Sequence, residues 1–258
     1  MTKDIVIVPT YDRPEMLWLC LEHLTASRGS GEVRVKVYVD AHEGLVLPYR
    51  EEIARVVKKF PKLRTELIYR QPHSFHGNSF NVLMAYKEAY ESDARYVFMV
   101  EDDILVQPDF FEWHRTQHAQ ADLDCSVGVE KRPEHAHYAS LGVCFRRQVI
   151  AKVLPHCRPG YFGNMTSYCR SQFKPSKWHC EQDGVWCRVL DPNSIAWPTT
   201  PVAHHVGWYG YHRQKSVRPK GTLEERYQQV RGVLQNPALL SAWSRDFVDV
   251  TPVQDLCN

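Results

Sequence analysis

Three consecutive carboxylates stand directly after a short apolar run. Glu101, Asp102 and Asp103 follow residues 96–100 (YVFMV), a pattern typical of a buried strand. In an extended chain alternate side chains share a face, so we expect Glu101 and Asp103 to project together, with Asp102 on the other side. Such carboxylates repel one another unless a cation lies between them, and Mg²⁺ or Mn²⁺ prefers carboxylate and phosphate oxygens. The cluster predicts a divalent-cation site; an acidic loop that caps the next helix is the alternative.

A second polar segment follows the first predicted strand. Residues 9–14 (PTYDRP) come directly after residues 4–8 (DIVIV). The backbone there and Thr10 could hold a base or a ribose, and Arg13 could bond a phosphate bidentately. The alternative is an ordinary strand-to-helix turn capped by Asp12.

Further polar residues begin or end other predicted elements. Asp40 ends the second strand, where a carboxylate is a plausible ligand for a ribose or a base, although a turn residue fits as well. Asn78 opens a helix whose free N–H groups favour a nearby anion. His73 and His76 precede that helix and could contact a phosphate, with a polar surface loop as the simpler interpretation.

The elements that must position these residues alternate along the first hundred positions. Strands are predicted at 4–8, 33–39, 65–69 and 96–100, and helices from residue 14 and at 48–59 and 77–90. This alternation predicts an α/β fold with a mostly parallel central sheet flanked by helices. The carboxyl ends of parallel strands meet at one edge, so we expect the polar segments to meet there.

The second half of the chain has a looser pattern. We predict helices at 110–120, 146–154, 183–190, 223–234 and 238–243, strands at 125–129, 138–145 and 195–197, and a loop-rich stretch at 155–178. No linker separates the two halves, which indicates a shared core.

The composition excludes several classes of protein. The chain has 258 residues, of which 43% are hydrophobic, and its 32 basic and 30 acidic side chains give a net charge of +2. That charge is too small to indicate a dedicated nucleic-acid-binding protein. The apolar runs are far below the roughly 20 residues that cross a bilayer, and Asp4 interrupts any signal-peptide core. The eight cysteines form no CxxC pair, so we expect reduced thiols. Together with the short apolar runs, this favours a cytoplasmic location without membrane insertion.

These motifs resemble those of the GT-A fold glycosyltransferases. Residues 101–111 (EDDILVQPDFF) are similar to the metal-binding motif of N-acetylglucosaminyltransferase I type enzymes. Residues 5–24 (IVIVPTYDRPEMLWLCLEHL) resemble the opening of family-two glycosyltransferases, and residues 142–147 (GVCFRR) resemble the acceptor-side strand of that family. The likeness runs in order over about residues 4–212 and implies a single GT-A-like, Rossmann-like domain.

The resemblance implies sugar transfer from a nucleotide-sugar donor, assisted by Mn²⁺ or Mg²⁺. It implies Asp103 as a direct metal ligand, Asp102 near the ribose or donor sugar, and Asp40 near the nucleoside. The candidate donor-binding residues are Pro9, Thr10, Tyr11, Arg13, Asp40, Asn78 and Asp102. The candidate metal ligands are Asp103, Glu101 and His205.

An enzyme that inverts the anomeric centre also needs a base for the acceptor hydroxyl. Family-two enzymes place a Glu-Asp pair at a helix start, with the Asp as base, and residues 180–184 (CEQDG) resemble this segment. Here Gln182 precedes Asp183, and Glu181 is displaced by one position. We favour Asp183 as the base, with Glu181 open and a helix-capping role for Asp183 as the alternative.

A histidine pair near the end of the likeness suggests one more ligand. Residues 203–210 (AHHVGWYG) resemble the C-terminal segment in which related enzymes carry a metal-binding histidine before a glycine-rich loop. His205 aligns with that histidine better than His204 does. The alternative is that both histidines have structural roles.

The resemblance also implies how the chain is organised. We expect one domain over residues 1–258, with a nucleotide-sugar-binding half at 1–103, an acceptor-binding half at 104–212 and a helical tail at 213–258.

The identity of the acceptor stays open: it could be a protein, a glycan, a small molecule, or a hydroxylated DNA base as in phage DNA modification. The basic run at 213–220 could provide contacts to DNA. Two other functions stay open, a nucleotidyltransferase and a non-catalytic module that binds nucleotide sugars or nucleic acid. The oligomeric state is not predicted.

Overall fold

A seven-stranded sheet lies at the centre of the part of the protein that the structure describes. The computed structural model describes residues 4–42, 47–75, 78–131, 137–210 and 216–243. In chain order the strands are β1 (Asp4–Thr10), β2 (Val33–Val39), β3 (Thr65–Tyr69), β4 (Tyr96–Met99), β5 (Ile104–Val106), β6 (Cys125–Val127), β7 (Val143–Arg146), β8 (Ile195–Ala196) and β9 (Ala203–His205). Their order in the sheet is β3-β2-β1-β4-β7-β6-β8, and β5 pairs with β9 apart from it.

The strands that carry the first polar segments are parallel. β1 lies between β2 and β4 and is parallel to both, and β3 is parallel to β2. β7 runs antiparallel to β4 and β6, whereas β6 and β8 are parallel. The carboxyl ends of β1, β2 and β4 therefore share one edge, as the sequence predicts.

Helices cover both faces of this sheet. They are α1 (Pro14–Ala26), α2 (Leu47–Lys58), α3 (Ser79–Tyr90), α4 (Phe110–Gln120), α5 (Pro159–Gly163), α6 (Met165–Gln172), α7 (Gln182–Val189), α8 (Leu223–Leu234) and α9 (Pro237–Trp243). None of the described helices is long and apolar enough to cross a membrane. Every cysteine in the described ranges is a free thiol.

The run of apolar residues in β1 is explained by burial on both sides of the sheet. Ile5 and Ile7 belong to a core cluster with α3 and α7, whereas Val6 and Val8 belong to a second cluster with α1, α2 and α4. Trp186 of α7 is fully buried in the first of these clusters. Residues from before and after position 103 therefore pack into the same core.

The C-terminal helices pack on the outside of α1. The rings of Trp18 and Tyr227 stack with centroids 4.2 Å apart, and Arg226 donates to Glu15 over 3.1 Å. The side chain of Thr222 and that of Glu225 form a reciprocal capping box at the start of α8. This packing fixes the described part of the tail beside the helix that begins at the polar edge of the sheet.

The structure differs from the predictions between residues 138 and 178. β7 begins only at Val143, because Gly142 adopts a left-handed φ of 63° that interrupts an extended strand. Residues 147–152 form 3-10 turns in place of the predicted helix. The predicted loop-rich stretch contains α5 and α6; the Asn164 side chain caps α6 by accepting from the Ser167 N–H over 2.9 Å.

The predicted cap of α1 is also wrong. Arg13 occupies the N-cap position without a side-chain capping bond, and Asp12 pairs instead with Arg218, whose Nη2 lies 2.6 Å from Asp12 Oδ2. A nearby guanidinium offers this carboxylate a charge-assisted partner.

Candidate active site

The three consecutive carboxylates form a turn at the end of β4. The Ile104 N–H donates to the Glu101 carbonyl over 3.0 Å, so residues 101–103 are not extended and the predicted alternation of their side chains is wrong. Asp102 and Asp103 both pair with Arg13, and Arg13 Nη1 lies 2.7 Å from Asp103 Oδ2. Glu101 accepts from Asn78 Nδ2 over 3.1 Å. The turn therefore directs two of the three carboxylates at the guanidinium group of Arg13.

Arg13 is held by Asp103, which the sequence analysis assigned to a metal ion, and by Asp102, which it assigned to the donor. Its guanidinium also donates to the Tyr209 carbonyl over 3.1 Å, and its side chain is only 18% exposed. Three of the five guanidinium N–H groups are therefore already bonded within the protein, to Asp102, Asp103 and the Tyr209 carbonyl. Arg13 supplies the positive charge that the acidic turn requires.

Burial and charge give the two aspartates opposite pKa shifts. Burial raises the pKa of Asp102 to about 6, with Arg13 and the 2.7 Å hydrogen bond from Thr10 acting against the rise. Burial also opposes ionisation of Asp103, but attraction to Arg13 and His205 outweighs it and lowers the pKa of Asp103 below its ordinary value. Asp103 is therefore the carboxylate that stays ionised most easily.

The β5–β9 pair brings His205 to Asp103. Ile104 follows Asp103 directly and lies opposite His205 in the ladder, and His205 Nε2 is 3.5 Å from Asp103 Oδ2. The Val206 N–H donates to the Asp103 carbonyl over 2.9 Å. His204 is used elsewhere, since its Nε2 lies 2.8 Å from Gln107 Nε2. Of the two histidines, His205 is the one that lies beside the acidic turn.

The donor set around Asp103 fits a divalent cation. Asp103 Oδ1 is buried and has no hydrogen-bond partner among the described residues, so it is an oxygen in need of a positive partner. A carboxylate oxygen and an imidazole nitrogen suit Mn²⁺, and Mg²⁺ commonly uses only one or two protein carboxylates. Within the described ranges, no three His, Cys, Asp or Glu side chains converge as a complete site. A cation here would take its other ligands from phosphate and water.

Gly207 explains how closely the loop after β9 approaches Asp103. A Cβ atom at this position would lie 2.0 Å from Asp103 Oδ2, which is far inside contact distance. Only glycine allows the loop and the carboxylate to occupy their present positions. The sequence showed a glycine-rich loop here, but it gave no sign of which glycine contacts the acidic turn.

A cleft opens at the carboxyl ends of β1, β2 and β4. It is lined by Pro9, Thr10, Tyr11, Arg13, Asp40, Asn78, Asn81, Glu101 and Asp102. Every residue that the sequence analysis assigned to donor binding is in this lining. Three separate segments that follow parallel strands therefore meet at one place, as open α/β sheets arrange their ligand sites.

Asp40 lies at the end of the cleft nearest β2, and its side chain is hydrogen-bonded to a histidine. His73 Nε2 lies 2.7 Å from Asp40 Oδ1, and the His73 side chain is only 6% exposed. The interpretation of His73 as part of a polar surface loop is therefore wrong. His76 lies outside the described residues. Tyr11, at the same end, donates its hydroxyl to the His42 carbonyl over 2.8 Å.

The candidate base lies at the start of α7. Asp183 is half-buried and accepts a hydrogen bond from the Ser140 hydroxyl, whereas Glu181 is exposed at the N-cap. Burial raises the pKa of Asp183, the hydrogen bond from Ser140 acts against the rise, and the charge of Glu181 adds to it. Burial also raises the pKa of Glu101, and the charges of Asp103 and Asp183 contribute. Asp183 is therefore close enough to the acidic turn to influence it electrostatically.

Sequence reasoning missed Ser140 altogether. It fell inside a predicted strand, and its contact with Asp183 spans 43 positions of the chain, so no local pattern could have shown it. The Gln182 N–H donates to Ser79 Oγ over 3.1 Å, which ties the start of α7 to the start of α3.

The comparisons with known proteins identify the fold through structure and not through sequence. No family model matches the chain, and no curated protein matches it. Among solved structures, S. aureus TarS 1-349 in complex with UDP-GlcNAc is similar, with a TM-score of 0.57 and 15% identity, over 91% of this chain and 67% of that one. The chain spans 43% of the length of a longer TarS structure.

Two further glycosyltransferase structures are similar. The mannosyltransferase PcManGT from Pyrobaculum calidifontis, in complex with GDP-Man and Mn²⁺, matches with a TM-score of 0.51 and 14% identity, over 95% of this chain and 76% of that one. The galactosyltransferase LgtC, in complex with donor and acceptor sugar analogs, matches with a TM-score of 0.53 and 12% identity, over 88% and 95%. The chain therefore has the α/β, GT-A-like fold of these glycosyltransferase structures, with a mostly parallel central sheet flanked by helices.

Proposed function

We propose that the chain is a glycosyltransferase that moves a sugar from a nucleotide-sugar donor to an acceptor hydroxyl. The observation that carries the proposal is the cleft, which runs from Asp40 to the acidic turn at Glu101 and Asp102. A nucleoside at the Asp40 end would direct its diphosphate towards that turn. The resemblance of the sequence motifs and the shared fold with TarS, PcManGT and LgtC support the same function.

The acidic turn would hold a divalent cation, Mn²⁺ or Mg²⁺. Asp103 and His205 would be the direct ligands, with Glu101 nearby, because Asp103 Oδ1 lacks a partner among the described residues and the imidazole lies beside Oδ2. When bound, the cation would neutralise the charge that develops on the departing diphosphate. Asp102 keeps its contacts with Thr10 and Arg13, so its role would be to orient groups at the cleft.

Asp183 would act as the base in a reaction that inverts the anomeric centre. The acceptor hydroxyl would lose its proton to this carboxylate as its oxygen attacks the donor sugar. Burial raises the pKa of Asp183, which brings its basicity closer to that needed near neutral pH. Glu181 is exposed and has no such environment. Ser140 would hold the Asp183 carboxylate in one orientation.

The acceptor would approach from the side of residues 138–190. We keep a protein, a glycan and a hydroxylated DNA base as acceptor classes. Of the basic run, Arg218 is paired with Asp12. Arg213 and Lys215 lie outside the described residues. We propose a single domain with donor and acceptor halves and a cytoplasmic location.

A panel of nucleotide sugars, incubated with the protein with and without Mn²⁺, tests the proposal. We expect release of a nucleoside diphosphate from at least one donor, stimulated by the metal ion. Asp183→Asn should bind that donor with unchanged affinity and lose turnover by about 10²-fold or more, since a general base contributes about 10²–10⁴-fold. Ligand binding without any product would indicate a binding module and contradict the proposal.

A further inference from the structure

The two carboxylate oxygens of Asp40 are not equivalent. Oδ1 lies 2.7 Å from His73 Nε2 and accepts from the Ala41 N–H over 2.8 Å. A carboxylate oxygen has two lone-pair positions, so Oδ1 is fully used within the protein. Among the described residues no hydrogen bond reaches Oδ2. Asp40 therefore presents one acceptor atom to the cleft, although its side chain has two.

His73 is fixed as a hydrogen-bond donor to Asp40. Its Nδ1 accepts from the Phe75 N–H over 3.3 Å, which leaves the ring proton on Nε2. The ring also packs against Phe75 and Phe80, with centroid distances of 5.5 and 4.5 Å. The His73 N–H donates to the Ala41 carbonyl over 3.4 Å. A ligand could hydrogen-bond to Oδ1 only by displacing His73, which is fixed by these hydrogen bonds and ring contacts.

Both polar atoms of the Asn81 side chain are already bonded within the protein. Its Oδ1 accepts from Arg70 Nε over 3.0 Å, and its Nδ2 donates to the Tyr38 carbonyl over 2.9 Å. The side chain is buried, so these bonds are hard to exchange. Among the described side chains at this end of the cleft, Asp40 Oδ2 is the acceptor that remains for a base.

We propose that the His73–Asp40 pair makes the cleft selective for a uracil or thymine base over guanine. This inference rests on the proposed function, because it assumes that a nucleotide sugar binds with its base at Asp40. Uracil and thymine present one N–H between two carbonyl groups, which one carboxylate oxygen satisfies. Guanine presents two adjacent N–H donors, which need both oxygens of a carboxylate. Cytosine and adenine place a ring-nitrogen acceptor beside their amino group, and a carboxylate repels that acceptor.

Calorimetric titration of the full chain with UDP, dTDP, GDP and CDP tests the proposal. UDP, GDP and CDP share the ribose and the diphosphate, so the ratios of their dissociation constants report the base alone, whereas dTDP also lacks the 2′-hydroxyl group. We expect UDP and dTDP to bind at least about tenfold more tightly than GDP and CDP, since a buried donor or acceptor without a partner costs that much or more.

Two substitutions assign the selectivity to His73. His73→Ala frees one of the two acceptor positions of Asp40 Oδ1, so the UDP-to-GDP preference should fall to about threefold or less. His73→Gln carries an amide N–H close to the position of Nε2 and should keep most of the preference. Thermal denaturation of each variant shows whether it is folded, and the wild-type ratio tests the proposal even if His73→Ala is not.

The outcomes separate this inference from the proposed function. GDP binding as tightly as UDP, or an unchanged ratio in folded His73→Ala, overturns the base selectivity while the glycosyltransferase proposal stands. Failure of all four nucleoside diphosphates to bind, with and without Mn²⁺, contradicts the proposed function and this inference with it.

Discussion

Arg13 is the residue on which the charge balance of the acidic turn depends. It pairs with Asp102 and Asp103 at once, and both carboxylates are buried. In low-dielectric surroundings two adjacent anions without a cation are strongly unfavourable. Arg13 should therefore contribute to stability through these two ion pairs.

We expect Arg13→Ala to lower the free energy of unfolding by about 3–5 kcal/mol, because it leaves two buried carboxylates without their cation. Arg28→Ala is the matched control. Arg28 pairs with Glu112 on the surface, where both side chains are more than half exposed, so its loss should cost less than about 1 kcal/mol. Urea denaturation measures both values. Equal effects of the two substitutions would contradict a structural role for Arg13 in the turn.

Ser140 should set the pH dependence of the reaction through Asp183. The Ser140 hydroxyl donates to the Asp183 carboxylate and stabilises its ionised form, so Ser140→Ala should raise the pKa of Asp183 further. A base works in its ionised form, so the acidic limb of the kcat/KM profile should move to higher pH. Ser140→Thr keeps the hydroxyl and should leave the limb in place. A limb at the same pH in Ser140→Ala would show that Ser140 does not act on the base.

At the scale of elements, the short β5–β9 pair positions the acidic turn. It sets His205 beside Asp103, and the loop after it packs Gly207 against the same carboxylate. Neither strand exceeds three residues, and β5 was not predicted from the sequence. Its three apolar residues are too few to show a period, and its partner strand lies about a hundred positions away.

Gly207→Ala tests this arrangement. The new methyl group would overlap Asp103 Oδ2, so the loop or the carboxylate must move, and the protein should lose metal-dependent stabilisation by Mn²⁺ with UDP in a thermal shift assay. Gly232→Ala is the control, because nothing lies within 4 Å of the added atom there, and alanine favours a helix. A normal metal-dependent shift in Gly207→Ala would show that the close approach is not needed for ligand binding.

Sequence patterns predicted the elements in which apolar residues recur at a regular spacing. They missed the contacts between residues that are far apart in the chain. The apolar run of β1 and the helix periodicity of α8 have the predicted type, because burial on two faces or on one stripe leaves a periodic trace. The candidate donor-binding residues were predictable for a related reason, since each lies at or shortly after the end of a parallel strand or at the start of a helix. The pairing of Arg13 with the aspartates and the contact of Ser140 with Asp183 connect positions 90 and 43 apart, and no local pattern encodes them.

At the scale of the whole molecule, both halves of the chain contribute residues to the candidate active site. The acidic turn lies at the end of β4, while His205, Gly207 and Asp183 come from the second half. The described tail packs on α1, whose start carries Arg13, and Arg218 pairs with Asp12 beside it. Among the described residues, Arg13 and Arg218 are both paired with aspartates at this edge of the sheet.

The most direct test of the account follows the products of a nucleotide-sugar donor by phosphorus NMR. Sugar transfer must break the bond between the sugar and the diphosphate, so we predict a nucleoside diphosphate as the phosphorus-containing product, formed by the wild-type protein and not by folded Asp103→Ala. Pyrophosphate as the product would indicate a nucleotidyltransferase. That result, or full turnover in Asp103→Ala, would contradict the account.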